Sequence, residues 1–254
     1  MIITHNGTIL TNDGVVLNNI ITSPSFPNTY SLDFDGMDDY VDVGNLTILN
    51  NVTSYSTSCW VKCSSFSSVN RVWGRYIAND FHYLQIQVTT GKLAYSMTKS
   101  FPTTQIDTVN GIPLNTWINV ITVYDGTLVA SDRLKIYVNG VLQAVTGANA
   151  AQTSTGVNTG NMSVYIGAVN GFTNPFVGNI DEVAFYDYPL TDVDALTIGG
   201  TIPTNLNLLT SPPINWFRMG DGVTAFPTIP DVIGTNDGTA YNENEATMVV
   251  PDVP

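Results

Sequence analysis

The feature that most constrains this chain is the rhythm of its turn signals. Short alternating runs are cut at regular intervals by Asp-Gly, Asn-Gly or Thr/Gly breaks. Strands are predicted at Tyr30 to Phe34, ending at Asp35-Gly36, and at Tyr40 to Val43 just after. Further strands are predicted at Tyr55 to Cys63, Val69 to Ile77, Tyr83 to Val88, Leu93 to Met97 and Trp117 to Tyr124. Leu134 to Val138 meets Asn139-Gly140, the strongest hairpin signal in the chain, with Val141 to Val145 as its return. Val164 to Gly167 and Ile180 to Tyr186 complete the series. Many short strands with turns between them predict a sandwich or barrel.

Composition agrees. Among 254 residues only 11% are charged, and of the 21 acidic residues just three are Glu: Glu182, Glu243 and Glu245. Residues that favour helices are scarce, and Thr, Asn, Val, Gly and Tyr are plentiful. One short helix is expected, opened by Thr191-Asp192-Val193-Asp194 and closed by Gly199-Gly200. A net charge of −13 argues against nucleic acid or an anionic membrane as partner. No apolar run has the length of a membrane span, and the first residues lack the pattern of a secretory signal.

Cys59 and Cys63 are the only cysteines. On one strand they would share a face about 13 Å apart. A disulfide needs Cα atoms roughly 4.4–6.8 Å apart, so they are read as two buried hydrophobes. Residues 1–28 read as an arm with a hairpin at Asn6-Gly7 and a linker at Ser23 to Asn28.

Five stretches, in order, resemble laminin-G-like domains of the concanavalin A-like jelly rolls. They are Ser31 to Val43 with its Phe34-Asp35-Gly36, Tyr55 to Lys62, Trp117 to Gly126, Leu134 to Gly140 and Phe176 to Leu190. The resemblance covers about residues 30–198. It implies an all-β fold, a two-sheet antiparallel jelly-roll sandwich, with the domain at 29–200 and an extension at 201–254. Ile214 to Gly222, followed by Asp231 and Gly234 to Thr239, resembles the strand that usually comes first in such domains. The domain is then either circularly permuted, closing on itself, or donates this strand to a neighbour. The first is the expected form.

The same resemblance implies a calcium ion, with Asp35, Asp38 and Asp181 as candidate ligands. The alternative is that these aspartates cap turns and face water. It also implies sugar binding. Trp73, Tyr76, Phe81, His82 and Tyr83 cluster in one segment, with Trp73, Tyr76 and His82 as candidate glycan contacts. The alternative there is ordinary sandwich core. Trp60, Trp117 and Trp216 are expected in the core, each within an alternating strand.

No Gly-x-Ser-x-Gly elbow, phosphate loop or Glu-x-Asp-x-x-Glu strand is present, so no enzyme is expected. The tail Val250 to Pro254 and its permuted strand resemble structural proteins of tailed bacteriophages. That implies a virion structural protein, a capsid decoration or tail fibre component assembled in the host cytoplasm. Its partners would be other virion proteins and copies of itself. The alternative is a carbohydrate-binding module for host-surface glycans. Neither reading involves nucleic acid or membrane insertion.

Overall fold

A computed structural model describes residues 3–5, 8–10, 26–77, 80–98, 104–148, 162–170, 173–241 and 244–254. The strands run in chain order from β1 (Ile3–His5), β2 (Thr8–Leu10), β3 (Ser31–Asp35) and β4 (Tyr40–Asp42) to β5 (Ser54–Cys63), β6 (Asn70–Ile77), β7 (Asp80–Ile86) and β8 (Lys92–Thr98). Next come β9 (Thr104–Gly111), β10 (Ile118–Asp125), β11 (Leu134–Val138), β12 (Val141–Leu142), β13 (Val145–Ala148), β14 (Tyr165–Ile166) and β15 (Val177–Tyr186). Helix α1 (Asp192–Ile198) follows, then β16 (Asn215–Phe217), β17 (Thr228–Ile229), β18 (Gly238–Tyr241), helix α2 (Glu245–Met248) and β19 (Val249–Val250).

Two antiparallel sheets face each other. One has eight strands in the order β12-β11-β10-β5-β15-β3-β19, with β16 also paired to β15. The other has nine, in the order β13-β9-β8-β7-β6-β14-β4-β18-β17. Alternation assigns the inner face. Tyr55, Cys59, Val61 and Cys63 of β5 point inward, against Trp73, Leu84, Tyr95 and Ile106 of the other sheet, all fully buried. The architecture is the expected all-β sandwich. Both cysteines are free and share the inner face, and burial pushes the Cys59 thiol up to about 12.

A second apolar cluster lies outside the eight-stranded sheet. Ile121, Val123, Tyr137, Ala184 and Tyr186 are covered there by Leu190, Ala195, Ile198, Leu206 and Trp216. Helix α1 supplies part of this cover. Thr191 caps it, accepting from the Asp194 N–H at 3.2 Å while the Asp194 carboxylate accepts from the Thr191 N–H at 2.9 Å. The helix has seven residues, about two turns, between the expected cap and the Gly199-Gly200 stop.

The C-terminal segment closes both sheets within the chain. β16 pairs with β15, β18 with β4 and β19 with β3. A bulge between Asp181 and Ala184 makes this possible, with Glu182 at φ 50°. The first half of β15 pairs with β3 and the second half with β16. The Asp231 carboxylate fixes the approach, accepting from Asn215 Nδ2 at 2.6 Å and from the N–H groups of Trp216 and Gly234 at 2.9 Å.

The N-terminal hairpin forms, with Ile3 opposite Leu10. Its Asn6-Gly7 turn and the linker residues before Phe26 lie outside the described residues. Trp60 and Trp216 are buried, though on the outer side of the eight-stranded sheet rather than in the sandwich interior. Trp117 corrects the expectation. It precedes β10, falls on the outer face and is only half-buried. No helix among the described residues is long and apolar enough to cross a membrane.

Candidate functional site

The pairing of β6 with β7 sorts the aromatic cluster onto two faces. Trp73 opposes Leu84 and Arg75 opposes His82, all facing the core. Gly74 opposes Tyr83 and Tyr76 opposes Phe81, all facing out. A bulge at Val72 keeps Arg71 and Gln85 on that outer face too. Two of the three expected glycan contacts are thereby corrected. Trp73 and His82 have no exposed surface, so neither ring is available to a ligand in solution. Trp73 meets Phe185 edge to face at 5.8 Å. His82 stacks on Tyr55, its Nδ1 3.1 Å from the Tyr55 hydroxyl. Burial and then the Arg75 charge hold its pKa well below the ordinary value, so the ring is neutral. Tyr76 stays on the surface, 44% exposed.

The outer face of the nine-stranded sheet carries what the sequence cluster only hinted at. Tyr76 stacks on Phe81 at 6.0 Å, and Phe81 on Tyr83 at 5.4 Å. The Arg71 guanidinium lies 3.6 Å from the centre of the Tyr83 ring. The Tyr83 hydroxyl donates to Gln105 Oε1 at 3.3 Å, and Gln105 and Gln87 both donate to Asp107 Oδ1. On the other side of β6, Tyr165 stands opposite Gly74. Tyr165 meets Tyr40 edge to face at 5.8 Å, and Tyr40 stacks on Tyr241 at 4.7 Å.

Gly74 separates these two aromatic groups. A Cβ there would come within 3.1 Å of the Tyr83 Cβ and 3.3 Å of the Arg71 Cδ. Its absence lets Arg71 lie down beside Tyr83 and keeps the floor between Tyr83 and Tyr165 low. Across two strand spacings these rings stand about 10 Å apart at their backbones. Arg71 is almost fully buried, which lowers its pKa. Its Nε and Nη1 groups have no hydrogen-bond partner among the described residues.

A sheet face left to water is ordinarily polar. Six partly exposed aromatic rings, with amides, a carboxylate and a guanidinium between them, fit a ligand that is apolar on its faces and polar at its edges. Sequence reasoning missed Tyr40, Tyr165 and Tyr241 entirely. A signal for the rest was present. Phe81-His82-Tyr83-Leu84-Gln85-Ile86 alternates, which separates Phe81, Tyr83 and Gln85 from His82.

The expected calcium ligands divide. The carboxylates of Asp35 and Asp38 lie with that of Asp39, their oxygens within 4.8 Å of one another in the turn between β3 and β4. Three hard oxygen donors at that spacing suit Ca²⁺, and these residues would hold it. Asp181 is elsewhere. It lies four residues beyond Val177, the partner of Asp35, or about 13 Å along β15. Its oxygens accept from Asn28 Nδ2 and the Glu182 N–H, both at 2.8 Å.

Asp181 and Glu182 are a buried acidic pair. Glu182 accepts from Trp216 Nε1 at 2.6 Å and Arg218 Nε at 3.1 Å. Burial raises both, Glu182 to about 7 with Arg218 opposing the rise, and Asp181 well above its usual range with Glu182 adding to the effect. Both residues are enclosed and bonded to protein donors. They tie Phe26 to Thr29 and the C-terminal segment onto the sheet. Arg218 also donates to Pro27 O and Asp221, and Phe26 stacks on Trp216 at 5.5 Å.

Residues 35–194 match the family described as the concanavalin A-like lectin/glucanases superfamily. No curated protein matches. A candidate carbohydrate binding protein from Bacteroides ovatus superposes with a TM-score of 0.66 at 16% identity, over 89% of this chain and 60% of that one. This chain thus spans less than two thirds of that protein. Domain 4 of AbnA, an extracellular arabinanase of Geobacillus stearothermophilus, in complex with arabinotriose, gives a TM-score of 0.52 at 25% identity, covering 65% of this chain and 74% of that one. The CBM40 of the Ruminococcus gnavus IT-sialidase, bound to α2,3 sialyllactose, gives 0.54 at 14%, covering 67% and 96%. The fold is one shared with carbohydrate-binding modules. The virion role draws on the sequence resemblance alone. Over nearly two thirds of its length, this chain belongs to the concanavalin A-like lectin/glucanases superfamily.

Proposed function

We propose that this chain is a non-catalytic carbohydrate-binding module, and that its ligand lies on the outer face of the nine-stranded sheet. One observation carries the reading: six partly exposed aromatic side chains share that face, grouped on either side of Gly74. A pyranose or furanose ring presents C–H groups to an aromatic face and hydroxyls to its edge. Tyr76 and Tyr165 supply apolar surface, and Tyr83, with Phe81 and Arg71 lying against its ring, presents its edge. Gln85, Gln105 and Asp107, all partly exposed, supply polar partners at the edge, and the buried Arg71 guanidinium holds Tyr83 in place. The solved relatives in complex with arabinotriose and sialyllactose support the ligand class and supply the first probes.

The test is titration calorimetry of the purified chain with arabinotriose and α2,3 sialyllactose, after a glycan array has ranked further ligands. Binding that falls at least tenfold in Tyr83→Ala and in Tyr165→Ala supports the site. Binding unchanged in both variants, or no binding across the array, overturns it.

A further inference from the structure

The opposite sheet carries a second, separate depression. Its volume is about 400 Å³, and it is lined by Trp60, Trp117, Asn139, Leu196 and the Gly199–Thr201 turn. That is within the size range of small-ligand sites. We propose that it is a second saccharide site, so that one chain binds sugar on both faces of the sandwich. The ligand class rests on the function proposed above; the site itself does not.

The walls are fixed before any ligand arrives. The Trp117 indole N–H donates to the Asp252 carboxylate at 3.0 Å, and Lys62 pairs with the same carboxylate. Trp60 stands directly opposite Asn119 on the neighbouring strand. Asn139 sits at φ 48° in its hairpin turn, and its Oδ1 accepts from the Asn119 N–H at 2.8 Å. The rim is held backbone to backbone. A Cβ on Gly199 would meet the Gly140 nitrogen at 2.4 Å, so these two glycines bring helix α1 and the hairpin into contact.

Behind Trp60 the depression is backed by a smaller cavity. Ser58, Asn119, Glu182 and Thr204 line it, with Trp60 shared between the two. It has about 10 Å³ of room, close to what one water needs. Asn119 is buried, and its Oδ1 has no hydrogen-bond partner among the described residues. A buried amide oxygen of this kind calls for a donor. A water in the small cavity provides one and backs the Trp60 wall. Indole walls, an amide and the backbone of a glycine turn together match a sugar ring better than a purely apolar ligand, which would leave these polar groups unpaired.

The two sites can be read separately, because the first face contains no tryptophan. The experiment is a ¹H–¹⁵N titration of the full chain with lactose, xylotriose and arabinotriose, following the four indole resonances for this site and the backbone amides of Tyr83 and Tyr165 for the first. The result expected is a saturable shift of the Trp117 indole that persists in Tyr83→Ala, where the first face is disabled. It should disappear in Leu196→Arg, which crowds the mouth from a position that is 65% exposed and so leaves the fold intact. Saccharide that titrates the tyrosine face while the Trp117 indole stays still overturns the second site and leaves the first standing. A Trp117 shift that is lost in Tyr83→Ala also overturns it. A Trp117 indole that none of the three sugars moves overturns the second site, whatever the tyrosine face binds.

Discussion

Tyr40 and Tyr241 stack with ring centres 4.7 Å apart and planes 13° from parallel. They are directly opposed on β4 and β18, so the start of the matched domain and the far end of the chain build one surface. The C-terminal segment is therefore part of both the core and the candidate site.

Deleting residues 201–254 should abolish cooperative folding of the monomer. The deletion removes Trp216, Phe217, Met219, Ile229 and Met248, all buried. Each such side chain contributes about 1.5–3 kcal/mol when fully buried. Their sum rivals a whole domain's stability of about 5–15 kcal/mol. Calorimetry of residues 1–200 checks this. A sharp transition near that of the full chain would show that the segment is dispensable.

Tyr83→Ala and Trp73→Ala should separate binding from stability. Tyr83 is half-buried on the outer face, so its loss should weaken sugar binding tenfold or more, about 1.4 kcal/mol, and lower Tm less than a core deletion does. Trp73 fills the core, and Trp→Ala changes there cost about 3–5 kcal/mol. Parallel melting and binding curves report both. A Trp73→Ala chain that melts normally but binds no sugar would reverse the assignment of faces.

Much of the fold was legible because alternation and turn chemistry are local. Asn139-Gly140 forms its turn with both residues at positive φ, and Thr191 caps its helix. The missed strands are those with little apolar content. β9 reads Thr-Gln-Ile-Asp-Thr-Val-Asn-Gly, and only Ile106 of it is a buried hydrophobic. β17, β18 and β19 are held by their partners rather than by pattern. The candidate site was harder still. Tyr40, Tyr165 and Tyr241 are far apart in sequence, and only the pairing of β4 with β14 and β18 brings them together. Trp73 and His82 fall on the core face because one residue along a strand changes the face, which the clustering of aromatic residues alone does not show.

Calcium should raise Tm if the Asp35, Asp38 and Asp39 turn holds it. Three carboxylates with oxygens within 4.8 Å repel one another, and a divalent cation would relieve this in the folded state only. Melting in millimolar Ca²⁺ against EDTA should show a rise of a few degrees that Asp38→Asn reduces. Identical curves in the wild-type chain would remove calcium from this turn.

The pH dependence of stability should carry two opposed signatures. Glu182 is raised from 4.5 to about 7, chiefly by burial. Between those values the folded chain holds a proton that the unfolded chain has released. Stability therefore falls as pH rises from 4.5 to 7, by an amount on the order of 1–3 kcal/mol. Asp181, also raised by burial, acts in the same direction. His82 does the reverse. Its folded pKa lies well below 6.5, so the unfolded chain takes up the proton first as pH drops below 6.5, and stability is lost on that side. Glu182→Gln should flatten the loss between pH 5 and 7, and His82→Phe the loss under acid conditions. Melting across pH 4–9 checks both. A Glu182→Gln chain with the wild-type slope between pH 5 and 7 would mean that Arg218 keeps this carboxylate ionised throughout.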